Sequence, residues 1–284
     1  MNLAAPEGPI ERIRSDRAFY IVLAVLSGGY ILMIVALIAG MANYTALSHF
    51  RAALASPEIR YSIKLSLVSC TITAILSLWV AVPTGYLFSR RDFPGKALLD
   101  AILDIPIVLP PLVVGLALLI LFTTPAGKWL ERFLAHHAGT TVSFAVPGVI
   151  LAQFMVACAF AVRTMRVAFD EISPRCEAVA LTLGCNRSQA FWRVVLPQVR
   201  GGMIVAGTIA WARALGEFGP ILVFAGSTRG HTEVLSTTVF LELSVGNIEA
   251  AVAVSLLMVA AAVFLLAIIR LTGYSLRIEP GNRR

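Results

Sequence analysis

The sequence predicts an all-α, polytopic membrane protein of about six transmembrane helices. Composition carries part of that reading: 58% of the 284 residues are hydrophobic and only 14% are charged, with a mean hydropathy of +0.84. A soluble domain carries about 25% charged residues. A single globular core cannot hide this much apolar surface, so lipid is the expected solvent. Run length carries the next part, because the apolar residues gather into stretches that reach the roughly 20 residues a helix needs to cross a bilayer. Backbone chemistry decides between helix and strand. Lipid offers backbone groups no partner outside a helix or a closed barrel, and runs this long lack the short alternation of a barrel strand.

The six candidate spans lie at about 18–42, 61–88, 98–122, 144–168, 198–225 and 247–271, inside a transmembrane domain of 18–272 flanked by tails 1–17 and 273–284. The first run, Ala18 to Met41, is too long for the core of a cleavable leader, and no small-residue cleavage site follows it. The third run carries Pro106, Pro110 and Pro111. Interior prolines remove backbone hydrogen bonds, so this span is expected to bend or unwind where it faces protein. It serves either as a passive kink or as a wall of a pathway. Asp100 and Asp104 near its beginning are expected to be solvated or paired. The fifth run holds Arg213 and Glu217, four apart, which share a helical face and can pair. Unpaired, each costs about 3 kcal/mol at mid-bilayer by insertion scales. Two readings stay open, an ion pair locked between helices and a pair lining an aqueous route. Gly216, Gly219 and Pro220 beside it allow bending or close packing. Between the last two spans, "TEVLSTTVFLEL" is apolar but too short to cross, and a helix lying at the outer surface is expected there.

Lys and Arg gather on alternate sides. Arg12, Arg14 and Arg17 precede the first span; Arg90, Arg91 and Lys96 follow the second. Arg175, Arg187 and Arg193 follow the fourth, with Arg163 and Arg166 just before them, and Arg277, Arg283 and Arg284 follow the sixth. The positive-inside rule places both termini in the cytoplasm of a cell (inner) membrane. His49, His136, His137 and His231 then fall outside, read as solvated loop residues.

The loop between spans four and five, "CEAVALTLGCNRSQAFWRVVLP" (176–197), is too polar to cross. Ser173-Pro174 can start a helix. Cys176, Val179, Ala180 and Leu183 recur at helical spacing. Gly184 can end that helix in the left-handed conformation. Asn186 or Ser188 can cap a second helix, and Leu196-Pro197 is expected to break the pattern where the next span begins. The element is either an amphipathic loop on the headgroups or a docking hairpin for a soluble partner.

Several function classes fall away. The net charge of +7 is spread through loops, and no nucleic-acid motif occurs. Cys70 and Cys158 lie in apolar runs, while Cys176 and Cys185 are nine apart, so neither a disulfide framework nor a metal site is expected. A phosphate loop needs GxxxxGK[ST], and Gly95-Lys96 and Gly127-Lys128 are followed by Ala97 and Trp129. No nucleotide cofactor is expected in this chain, and no nucleophile–base pair is visible.

Glu177-Ala178-Val179-Ala180, followed by Gly184, nine residues, Val194, one residue and Leu196-Pro197, resembles the EAA signature of ABC importer permeases. Glu177 stands seven residues before Gly184, where the commonest spacing is six. "FPGKALLDAILDIPIVLPPLVVG" (93–115), "WARALGEFG" (211–219) and "RGHTEVLSTTVFLELSVGNIEAA" (229–251) resemble molybdate and tungstate permeases of that family, with sulfate permeases next. The resemblance covers about residues 60–270. It implies a type I importer permease fold, with segment 172–193 as the coupling helix. Glu177, Ala178, Ala180, Gly184, Arg187, Leu196 and Pro197 then meet separate ATPase subunits that bind the ATP. Pro110, Pro111, Arg213 and Glu217 become pathway candidates. The further implied partners are a second copy of the chain and an extracytoplasmic oxyanion-binding protein. Two other classes compete: an intramembrane enzyme using Glu217 or the histidines, and a passive channel.

Overall fold

The computed structural model describes residues 17–277. Arg12, Arg14, Arg283 and Arg284 lie outside them. All regular structure among the described residues is helical. The chain divides into two compact units, Met1–Tyr44 and Thr45–Arg284. The described part of the first is one helix, α1 (Arg17–Tyr44), apolar on every face, as a lipid-facing span is.

The second unit begins with α2 (Leu47–Ala55) and α3 (Pro57–Arg90), then α4 (Lys96–Val108), α5 (Pro111–Thr123) and α6 (Pro125–Ala138). It continues with α7 (Val146–Asp170), α8 (Pro174–Thr182), α9 (Arg187–Ala190), a π-helical turn (Phe191–Val195) and α10 (Leu196–Leu215). α11 (Gly219–Phe224), α12 (Leu235–Ser244) and α13 (Ile248–Arg277) complete it. Five helical stretches of the described chain are long and apolar enough to cross a membrane, and α4 with α5 form a sixth candidate bent by 111°.

Small residues set the core. Cys70, Ala74 and Ala81 of α3 meet Ala157, Ala161 and Met165 of α7 and Ala206, Ala210 and Ala214 of α10. Without a hydrophobic drive between helices in lipid, such residues permit the close approach on which van der Waals packing depends. Gly85 shows how close: a Cβ there would stand 2.9 Å from the Met165 Cβ. One ridge of α3 (Ser62, Ser66, Ser69, Thr73, Ser77) is polar and buried. Ser62 and Ser69 satisfy themselves by donating to the carbonyls of Ile59 and Ser66. A second cluster joins Leu118 and Phe122 of α5, Val149 and Ala152 of α7, and Ile221 and Phe224 of α11.

One expectation is met and two need correction. The third run bends, as its prolines predict. It breaks at Leu109 and Pro110, where Pro110 precedes α5 with φ −54° and ψ 133° and Pro111 occupies its first turn. Proline loses nothing there, because that N–H has no helical partner. Pro106 stays inside α4. The fifth run also breaks: α10 stops at Leu215, so Glu217 lies outside the helix that carries Arg213. Leu196-Pro197 does not interrupt the chain's helical path, which runs from Arg187 to Leu215 through the π turn. Leu196 N–H reaches back five residues to Phe191 O, the bond of a π turn, and Gln198 Nε2 donates to Val194 O at 3.0 Å. α12 supplies the helix expected between the last two spans, with Leu235, Thr237, Thr238 and Glu242 of one face buried against the protein.

Candidate functional site

The hairpin between α7 and α10 is built from local signals. Ser173 Oγ accepts from Arg175 N–H at the start of α8. Gly184 ends the helix with φ +89°. Cys185 N–H reaches Ala180 O and Gly184 N–H reaches Leu181 O, both at 3.1 Å, the paired bonds of a Schellman stop. Asn186 then caps α9: Gln189 N–H donates to Asn186 Oδ1 at 2.8 Å, and Asn186 N–H to Gln189 Oε1 at 2.9 Å.

The hairpin is clamped to the membrane helices. Tyr86 of α3 donates its hydroxyl to Glu177 Oε1 at 2.7 Å. Arg90, one turn further on, donates Nη2 to Ile172 O at 2.7 Å and holds Nε 3.8 Å from Glu177 Oε2. The Tyr86 ring packs edge-on against Phe169 of α7 and Phe191 of the π turn, at 5.6 and 4.8 Å between centroids. Ala180, Ala190 and Val195 are buried beneath.

This geometry sorts the residues that the sequence marked. Glu177 and Ala180 face inward, Leu196 is half-buried against the core, and Ala178, Gly184, Arg187 and Pro197 are exposed. The expected apolar stripe splits: Ala180 is core, while Val179 and Leu183 are 56% and 80% exposed. Trp192 is exposed as well. Tyr86 and Arg90 were missed as parts of the site. Their spacing of four at the end of the second run is the signal that could have found them.

At the other candidate site the two helix breaks meet. A Cβ on Gly219 would lie 3.3 Å from Pro111 Cβ, and one on Gly115 would lie 2.8 Å from Pro220 Cα. Only glycine admits this approach. Arg213 Nη2 stands 2.8 Å from Glu217 Oε1, at an angle that makes an ion pair but no aligned hydrogen bond. Glu217 is 1% exposed and Arg213 one third exposed, with its guanidinium 5.5 Å over the Phe160 ring. Distant residues satisfy the broken backbone. Gln153 of α7 donates Nε2 to Ala214 O at 3.2 Å and accepts from Thr73 of α3. Ser236 of α12 donates to Glu217 O at 2.6 Å. Thus Pro111, Arg213 and Glu217 are brought to one locus, about which neither Gln153 nor Ser236 announced itself in sequence.

Two further ion pairs brace α4 against α7: Arg166 with Asp100, and Arg163 with Asp104 at 3.7 Å. Both aspartates are therefore paired. On the side of the last loop, Arg229 binds Glu242 at 2.8 Å, and burial pushes the Glu233 carboxyl above its usual range. The described residues hold no cluster of His, Cys, Asp and Glu that could bind a metal ion.

The family model for the "binding-protein-dependent transport system inner membrane component" matches residues 74–277. The Escherichia coli K12 sulfate transport system permease protein CysT is 32% identical over 213 residues, covering 74% of this chain and 75% of that protein. The molybdenum transport system permease protein ModB of the same strain is 34% identical over 187 residues, covering 66% and 80%. Among solved structures, a bacterial alginate ABC transporter bound to its alginate-loaded periplasmic protein matches with a TM-score of 0.69 at 20% identity, covering 90% of this chain and 92% of that one. The methionine transporter MetNI, in an inward-facing conformation, matches at 0.57 and 18% identity, covering 75% and 94%; these likenesses establish the fold. With a family model spanning both candidate sites and curated relatives above 30% identity over most of their length, the chain belongs to the inner-membrane components of binding-protein-dependent (ABC) transport systems, multi-pass transport subunits rather than enzymes.

Proposed function

We propose that two copies of this chain form the membrane pathway of an ATP-driven importer for a tetrahedral oxyanion. Separate ATPase subunits grip segment 172–193 from the cytoplasm, and an oxyanion-binding protein docks on the opposite face. The observation that carries this reading is the clamped hairpin. Glu177, Tyr86 and Arg90 fix α8 to α3, so a push on the outward face (Ala178, Val179, Leu183) passes into the core rather than into a loose loop. ATP binding closes the ATPases, moves the hairpin and turns the pathway outward; hydrolysis resets it. Glu177 then acts by positioning α8. The Arg213–Glu217 pair belongs to the wall of the route, and its own neutrality keeps Arg213 from holding a dianion too tightly to release.

Molybdate or tungstate is the substrate to which the stretches at 93–115, 211–219 and 229–251 point. Sulfate is the second reading, favoured by the names of the sulfate permeases among the relatives. Proteoliposomes holding the chain, its ATPase and its binding protein decide the matter. Radiolabelled molybdate and sulfate are offered separately, with and without ATP. ATP-dependent uptake of one oxyanion supports the proposal and names the substrate. ATP-independent flux indicates a channel and overturns it. Chemical turnover by the purified chain alone indicates an intramembrane enzyme and also overturns it.

A further inference from the structure

α6 lies between the end of α5 and the start of α7, at the opposite end of α7 from the hairpin. It joins two segments read as membrane spans by length and composition, and that reading puts it at the bilayer surface. One face is bound to the protein. A Cβ on Gly127 would stand 2.4 Å from Leu121 O, Glu131 Oε1 accepts from Ser143 N–H at 2.9 Å, and Leu134 packs against the second core cluster. The remaining surface carries two parallel rows at a spacing of four. Trp129, Phe133 and His137 form an exposed aromatic ladder, with ring centroids 5.7 and then 4.3 Å apart and nearly parallel planes. Lys128, Arg132 and His136 form the adjoining row, also exposed.

No transport step accounts for either row. An aromatic row fits the headgroup level, where an amphipathic ring has both an apolar and a wet neighbour. A basic row beside it fits lipid phosphates. With protein on one side, rings on the second and cations on the third, the helix matches an interfacial element in all three directions.

We propose that α6 is a lipid-binding helix. Its aromatic ladder sits at the acyl–headgroup boundary, and Lys128 and Arg132 select anionic phospholipid headgroups. The inference is independent of which solute the chain carries. Brominated-lipid quenching in nanodiscs tests it on the full chain, with the emission of W129F subtracted from that of the parent to isolate Trp129. Phosphatidylcholine brominated high on the acyl chain is expected to quench most of the difference emission, and brominated phosphatidylglycerol more strongly still. In K128A/R132A, with the same subtraction, quenching persists but the preference for phosphatidylglycerol falls about fivefold for each basic residue removed. Both side chains are exposed, so the variant keeps its fold. A preference unchanged by K128A/R132A overturns the proposal. So does a Trp129 that lipid leaves unquenched, that aqueous iodide reaches, and that the added binding protein shields, since the face then belongs to a protein partner.

Discussion

The hairpin and the break after α10 face the same physical problem and meet it at different range. A helix end strands backbone groups, and burial or lipid makes each one expensive. The hairpin satisfies its ends with neighbours: Ser173 for Arg175, Gly184 and Cys185 for Leu181 and Ala180, Asn186 for Gln189. The break borrows Gln153 and Ser236 from other helices, and Thr73 in turn orients Gln153. A locally capped unit can be moved as a piece. A break held by three other helices changes only when those helices move. On the proposed function, this contrast would make the hairpin a rigid handle and the break a responsive gate.

The sharpest way to break the comparison is at the gate. Arg213→Ala leaves the buried Glu217 carboxylate without a counter-ion and is expected to remove roughly 3 kcal/mol of stability in chemical unfolding of the detergent-solubilised chain. Adding Glu217→Gln should recover most of it; a loss under 1 kcal/mol for the single variant contradicts the pairing. Gln153→Leu strands the Ala214 carbonyl and is expected to cost about 2 kcal/mol by the same assay. Its effect should spread to the packing of α3 and α7, visible as faster amide exchange in both. At the handle the effects are smaller. Tyr86→Phe removes a hydrogen bond to a carboxylate and should cost about 1.5 kcal/mol. It should also raise hydrogen exchange in α8 while leaving α10 unchanged. Gly184→Ala should cost about 1 kcal/mol. Nothing lies within 4 Å of its new Cβ, so the penalty is the left-handed backbone alone, and Gly184→Asn should cost less.

Range also explains what the sequence disclosed. The six runs, the caps at Ser173 and Asn186 and the left-handed Gly184 are properties of consecutive residues, and each was readable. The Arg213–Glu217 contact was readable too, being four apart, but for an imperfect reason, because Glu217 sits past the helix end. Hydropathy averaged over a window cannot register a break that keeps its residues apolar. Run five therefore looked continuous across Gly216–Phe218, whereas the prolines of run three foretold its bend. Pairings such as Gln153 with Ala214, Tyr86 with Glu177 and Pro111 with Gly219 join residues far apart in sequence, and only the packed helices reveal them. The π turn was hidden for a related reason: Pro197 reads locally as a stop, and the extra residue that absorbs it leaves no compositional trace.

The handle itself is tested most directly at Leu183, four-fifths exposed and one helical turn from Val179. Leu183→Asp should insert, fold and unfold like the parent, while capture of the cognate ATPase on an affinity column drops at least about tenfold, as for a charge placed in an interface core. Undiminished capture by a normally folded Leu183→Asp chain would show that the motor grips another surface, and the account of the hairpin would fail.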